Sequence, residues 1–175
     1  MKKIGVFLVL IFLVLSISLV SAGTINVDIN DVSCVIGSGQ PDPYSIVYCN
    51  IQDAIDDSVS GDIINVAAGT YNEQLSIDKN NLTLQGSGAD TTIIDLGQPS
   101  ETTGIWIIGD NIIFDGFIVR NISTTSSHAQ YAIRVRGSDN IISNNKIIGQ
   151  PIRDWWNDEE DSGINIDGTS STISE

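Results

Sequence analysis

Three stretches of this chain are versions of one another. They are "GIWIIGDNII" from Gly104, "AIRVRGSDNII" from Ala132 and "GINIDGTSSTI" from Gly163. Each reads as a short strand with alternating apolar residues, a turn centred on glycine, and a second strand. The turn glycines Gly109, Gly137 and Gly168 lie 28 and 31 residues apart. An earlier unit, "NNLTLQG", sets Asn81 30 residues before Asn111, which lies 29 before Asn140. A repeat near thirty residues built from short strands predicts a parallel β-solenoid, because one coil cannot bury its apolar face without a neighbour above it. Coils then stack at about the strand spacing of 4.8 Å, and like residues lie over one another. The spacing predicts inward stacks of Ile105/Ile133/Ile164 and of Ile107/Val135/Ile166, and a corner stack of Asn81, Asn111 and Asn140, since asparagine tolerates left-handed backbone.

One helix precedes the strands. "NIQDAIDDSVSG" places Ile51, Ala54, Ile55 and Val59 on one face, with Asn50 as N-cap, Asp53 at the third helical position and Gly61 as the stop. One helix followed by many strands is not a doubly wound pattern.

The start of the chain reads as a secretory signal. Lys2 and Lys3 precede an apolar run from Ile4 to Val20, and "VSA" supplies small residues before Gly23. The expected organisation is a signal peptide over 1–22, a disulfide-tied segment over 23–49 and a β-helix over 50–175. An uncleaved anchor is the alternative for the first segment. The remainder is long enough for one domain with a core. The chain carries 22 acidic and 8 basic residues, a net charge of −14. A field of that sign repels nucleic acid and anionic membrane surfaces. The two cysteines, Cys34 and Cys49, are expected to pair in a secreted chain, closing a Gly- and Pro-rich stretch without regular structure.

The stretch from Cys49 to about Ile148 resembles the opening of right-handed parallel β-helix proteins of the pectin-lyase-like superfamily. The matching elements are "IQDAI", "GDIINVAAGTYNE", "LTLQGSG", "TTIID" and the downstream "GSDNIISNNKI". The resemblance implies an all-β, right-handed parallel β-helix whose N-terminal α-helix caps the open end. It implies little about activity, because that fold hosts lyases, hydrolases, esterases and non-catalytic surface proteins.

Three polar stretches separate the coils: Leu96–Thr103, Asn121–Gln130 and Gly149–Ser162. They recur at one point of the coil, so stacking places them on one flank. The longest contains "PIRDWWNDEED". There Trp155 or Trp156 could offer a flat face to a sugar ring, with Arg153 and Asp154 bonding its hydroxyls. Alternatively a tryptophan pins the loop to the solenoid wall and the acids stay solvated. Asp158, Glu160 and Asp161 suit calcium as hard oxygen ligands, though their spacing matches no strong calcium motif. No other cofactor is implied. The sole histidine, His128, reads as a surface residue. Asn81 and Asn121 head glycosylation sequons, but Asn81 also belongs to the expected stack.

"SHAQYAIRV" at Ser127–Val135 is similar to the histidine–glutamine stretch of pectin methylesterases. That likeness implies Gln130 as an oxyanion donor and Gln150 as the second glutamine. Pro151 stands where that family has an aspartate, and the later segment with its nucleophilic aspartate has no counterpart before Glu175. Arg134 and Arg136 are outward on their strand, as lyase chemistry needs, but no aspartate ladder is evident beside them.

The sequence therefore predicts a secreted or cell-surface β-helix module that interacts with a polysaccharide or surface glycan, or serves structurally. The alternative is a polysaccharide-modifying enzyme, esterase-like or lyase-like, with an incomplete catalytic segment. Ile164, Ile166 and Ile173 begin another coil in core phase, so the chain reads as part of a longer β-helix with open isoleucines on its last rung.

Overall fold

The computed structural model describes residues 21–32, 47–97, 103–121, 131–149 and 163–174. The chain opens with β1 (Thr24–Val27), β2 (Val47–Tyr48), α1 (Ile51–Asp57), β3 (Ile63–Val66), β4 (Gly69–Tyr71), β5 (Leu75–Ile77), β6 (Thr83–Gly86) and β7 (Thr92–Asp95). It continues through β8 (Thr103–Ile107), β9 (Ile113–Asp115), β10 (Ile118–Arg120), β11 (Tyr131–Val135), β12 (Ile141–Ser143), β13 (Lys146–Ile148), β14 (Ile164–Ile166) and β15 (Thr172–Ser174).

From β3 onward every third strand returns to the same sheet, and each pairing is parallel. The first sheet runs β15-β12-β9-β6-β3-β1-β2, the second β13-β10-β7-β4 and the third β14-β11-β8-β5. This is a three-sided solenoid. Its short β-branched strands suit a surface buried on one side only.

Alternate side chains point inward and stack coil upon coil. Ile64, Leu84, Phe114 and Ile142 form the first-sheet stack. Tyr71, Ile94, Val119 and Ile147 form that of the second. The third sheet holds Leu75, Ile105, Ile133 and Ile164 beside Ile77, Ile107, Val135 and Ile166, as the repeat predicts. Each fully buried aliphatic side chain contributes about 1.5–3 kcal/mol. Phe114 and Phe117 stack with ring centroids 4.5 Å apart.

Register corrects the expected asparagine stack. Asn81 and Asn111 are left-handed, with φ of 58° and 56°, but the next member is Asp139 (φ 58°), followed by Ser170 (φ 59°). Gly61 (φ 98°) begins the series. Ile113 pairs with Ile141, a step of 28 residues, so Asn140 lies one place further on, above Ile112. There it is fully buried, and its Oδ1 accepts the Ile112 N–H at 2.7 Å. Its Nδ2 has no hydrogen-bond partner among the described residues. Gly109, Gly137 and Gly168 do stack, for want of space: a Cβ on each would strike the carbonyl below it, of Lys79, Gly109 and Gly137 respectively.

The N-terminal end is closed by α1, with differences from expectation. Asn50 is the N-cap residue but makes no side-chain cap bond; its Nδ2 donates to Asp53 instead. The cap comes from Glu73, at the corner between β4 and β5, whose two oxygens accept the Ile51 and Gln52 N–H groups at 2.8 and 2.9 Å. Lys79 donates to the Asp56 and Ser58 carbonyls at the opposite end, where the helix dipole favours a cation. The helix stops at Asp57, capped by Ser58, so Val59 falls outside it and is 40% exposed; Gly61 turns a solenoid corner instead. β1 and β2 extend the first sheet, so Val47 and Tyr48 are strand and not irregular loop.

At the opposite end cover is thinner. Ile164 and Ile166 are partly exposed and Ile173 is 53% exposed, where Ile133 and Val135 one coil earlier are fully buried. Among the described residues no helix is long and apolar enough to cross a membrane.

Candidate functional site

The three polar loops leave β7, β10 and β13 of the second sheet and enter β8, β11 and β14 of the third. Their anchor points therefore share one corner of the solenoid. The sequence-predicted Trp155, Trp156, Arg153, Asp154, Gln130 and Gln150 lie outside the described residues. So do Asp158, Glu160, Asp161, His128 and Cys34; of the cysteines, Cys49 alone is described, directly before Asn50.

A cluster of side chains covers the outer face of the third sheet, from Tyr131 at that corner to Arg136 and Asp167 just past the opposite ends of β11 and β14. Inward Ile105, Ile107, Ile133 and Val135 force the residues between them outward, so Trp106, Arg134 and Asn165 stand in register. The Arg134 guanidinium lies 5.5 Å from the Trp106 ring centroid and 5.6 Å from that of Tyr131. Arg136 lies 4.7 Å above the other part of this surface, over Trp106. Arg134 donates from Nε and Nη2 to Asp167 Oδ2 at 2.8 and 2.6 Å, and Arg136 Nε is 4.0 Å from the same oxygen. The carboxylate lacking from the sequence reading beside Arg134 and Arg136 is thus Asp167, one coil on.

Charge in the cluster is unequal. Asp167 neutralises mainly Arg134, whose side chain is 25% exposed, while Arg136 is 49% exposed and more loosely held. The result is an aromatic base carrying one accessible guanidinium, in a chain that is otherwise acidic. Such a group suits a carboxylate, which it binds in a fork. Trp106 was legible as an outward residue in the repeat "GIWII", at the position Arg134 takes one coil later. Its pairing with both arginines needed the register.

The corner itself is tied down by Asp95. Its oxygens accept Arg120 Nε at 2.9 Å, Asn121 Nδ2 at 2.7 Å and the Gly97 N–H at 3.1 Å. Burial alone would raise this carboxyl, but those hydrogen bonds and the Arg120 charge outweigh it and hold it below its ordinary value. Asn121, like Asn81, has left-handed backbone and an amide engaged in the wall, Asn81 donating to Ser60. Among the described residues no group of three or more side chains could hold a metal ion.

No family model matches the chain, and no curated protein does. Solved structures do. A pectin methylesterase variant in complex with a hexasaccharide superposes with a TM-score of 0.62 at 17% identity, over 85% of this chain and 47% of that one. Pectin methylesterase PemA from Erwinia chrysanthemi gives 0.58 at 17% identity, over 87% and 47%. A further pectin methylesterase bound to a hexasaccharide gives 0.53 at 16%, over 71% and 44%. The chain spans about half the length of these structures. The fold is a right-handed parallel β-helix, as in these pectin methylesterases.

Proposed function

We propose that this chain is a carbohydrate-binding β-helix module of a secreted or cell-surface protein, and that the outer face of its third sheet takes an acidic polysaccharide of the pectin type. The observation that carries the reading is Arg136 standing half-exposed over Trp106, beside Arg134 and in line with Tyr131, on the outer face of the sheet whose strands the three loops enter. An acidic sugar offers a carboxylate for the guanidinium and an apolar ring face for the aromatic surface. The hexasaccharides bound by two of the fold neighbours support this ligand class. Trp155, Trp156, Arg153 and Asp154, with Gln130 and Gln150, are proposed to contribute from the loops. Calcium at Asp158, Glu160 and Asp161 is a proposed accessory. The secretory reading rests on the leading apolar run of the sequence.

Isothermal titration with hexagalacturonate tests the proposal. Arg136→Ala is expected to weaken binding at least tenfold, or about 1.4 kcal/mol, and 0.5 M salt to weaken it further. Equal affinity in a folded Arg136→Ala protein would remove the reading. Methanol release from methylated pectin would favour the esterase-like alternative.

A further inference from the structure

The outer face of the first sheet has a different chemistry. Asn26, Asn65 and Gln85 occupy matching positions on β1, β3 and β6. All three are exposed, because Val27, Ile64, Val66 and Leu84 take the inward positions beside them. Their amides make no hydrogen bond among the described residues. Four other asparagines of the solenoid behave otherwise. Asn81, Asn121, Asn144 and Asn145 each spend their amide on the wall. The three first-sheet amides therefore hold nothing together.

They line a cleft of about 520 Å³, whose boundary also includes Asp28, Asp31 and Ser87. That volume falls within the range of small-molecule sites, about 300–1,000 Å³. The cleft exists because the chain after β1 turns over the sheet: the Asp28 N–H donates to the Tyr48 carbonyl, and the Asn30 amide reaches the Ala68 carbonyl at 2.9 Å. Beside the cleft, on the same face, Ile63, Ile113 and Ile141 stand 40%, 36% and 42% exposed in one register row, with Thr83 between Ile63 and Ile113. An amide row and an apolar row thus run side by side along the solenoid axis.

We infer that this cleft is a binding site for a neutral oligosaccharide, separate from the third-sheet face. A sugar ring has an apolar C–H face and a rim of hydroxyls. Each amide offers both a donor and an acceptor, so a row of them matches vicinal hydroxyls whatever their orientation. Strand spacing places the three amides across about 10 Å, enough for more than one ring. The isoleucine row continues the track for C–H faces. Asp28 can accept a further hydroxyl, and its charge, in a chain of net −14, turns away an anionic sugar. Ligand charge therefore separates the two faces: acidic sugar at Arg136, neutral sugar at the amides.

The experiment is titration calorimetry of the whole chain with cellohexaose, xylohexaose, mannohexaose and hexagalacturonate. At least one neutral hexasaccharide is expected to bind. The double variant Asn65→Ala/Gln85→Ala is expected to weaken that binding at least tenfold and leave hexagalacturonate unaffected, and Arg136→Ala to leave the neutral sugar unaffected. No binding of any neutral hexasaccharide overturns the inference, as does full affinity in a double variant with wild-type melting temperature. Should the double variant melt early, side-chain amide NMR signals of Asn26, Asn65 and Gln85 in the wild type decide. Shifts on adding the neutral sugar support the site, and shifts confined to other residues overturn it. The hexagalacturonate arm fails or succeeds independently, so loss of the third-sheet reading is distinguishable from loss of this one.

Discussion

Gln52 and Ser76 complete a strand pair without a second strand. Gln52 Nε2 donates to the Ser76 carbonyl at 3.2 Å, and the Ser76 N–H donates to Gln52 Oε1 at 2.9 Å. β5 is the N-terminal edge of the third sheet, and its backbone would otherwise lack a neighbour there. A helical side-chain amide reproduces the donor–acceptor pair of a ladder and shields the edge from other chains. Gln52→Ala is expected to cost about 1–2 kcal/mol in urea unfolding, each exchanged hydrogen bond being worth about 0.5–1.5 kcal/mol. Gln52→Glu, which loses the donor and sets a carboxylate against the Ser76 carbonyl and Asp56, should cost at least as much. Unchanged stability in both variants would show the edge is satisfied by water.

Glu73 gives the helix cap a pH dependence. Desolvation raises its carboxyl above the ordinary value of 4.5; the two backbone N–H bonds oppose this without cancelling it, and Asp53 adds to it. With the folded value raised, the folded state holds more protons than the unfolded one between the two values. The contribution is full below about 4.5 and is lost as pH rises through the raised folded value. Comparing unfolding free energies of wild type and Glu73→Gln across pH 4–7 should show a steeper decline in the wild type within that window. Parallel curves would contradict the assignment.

Asp95 has the opposite sign. Its folded value is lowered, so its contribution is present above the ordinary 3.8 and is lost as pH falls through the folded value. Asp95→Asn is expected to destabilise the protein at pH 7 by about 1–3 kcal/mol, because Arg120 and the Gly97 N–H lose a charged acceptor. The difference should shrink in acid. Thermal melts at pH 7 and pH 3 measure both halves.

Gly137→Ala should be among the most damaging single methyl additions. The new Cβ meets the backbone of Gly109 and Ile108, which cannot yield without breaking coil register. A loss of about 3 kcal/mol or more, or failure to fold, is expected. Gly97→Ala is the control: nothing lies within 4 Å of its Cβ site, and its cost should be only that of φ +63°. Similar melting temperatures for the two variants would mean the stacked turns can separate.

Cys34 and Cys49 are expected to be joined, a bond that would stabilise the segment ahead of the helix by roughly 3 kcal/mol. Intact mass after alkylation should show two adducts with prior reduction and none without it.

What the sequence determined by itself was the repeat and everything that follows from it. Short strands near thirty residues apart require a parallel coil, and their apolar alternation names Ile105, Ile133 and Ile164 as one stack because a period of two leaves no choice of face. The capping helix was legible from its own periodicity. What only the tertiary structure decided were the relations set by exact register and by reach across coils. Asn140 and Asp139 are adjacent, and a single residue of stagger decides which turns the corner and which is buried. Glu73 caps a helix 22 residues away, which no local spacing signals. Trp106, Arg134, Arg136 and Asp167 come from three successive coils and meet because the coils are about 4.8 Å apart. Asn26, Asn65 and Gln85 share no motif; an amide row arises there because stacking brings to one face residues that the chain holds far apart.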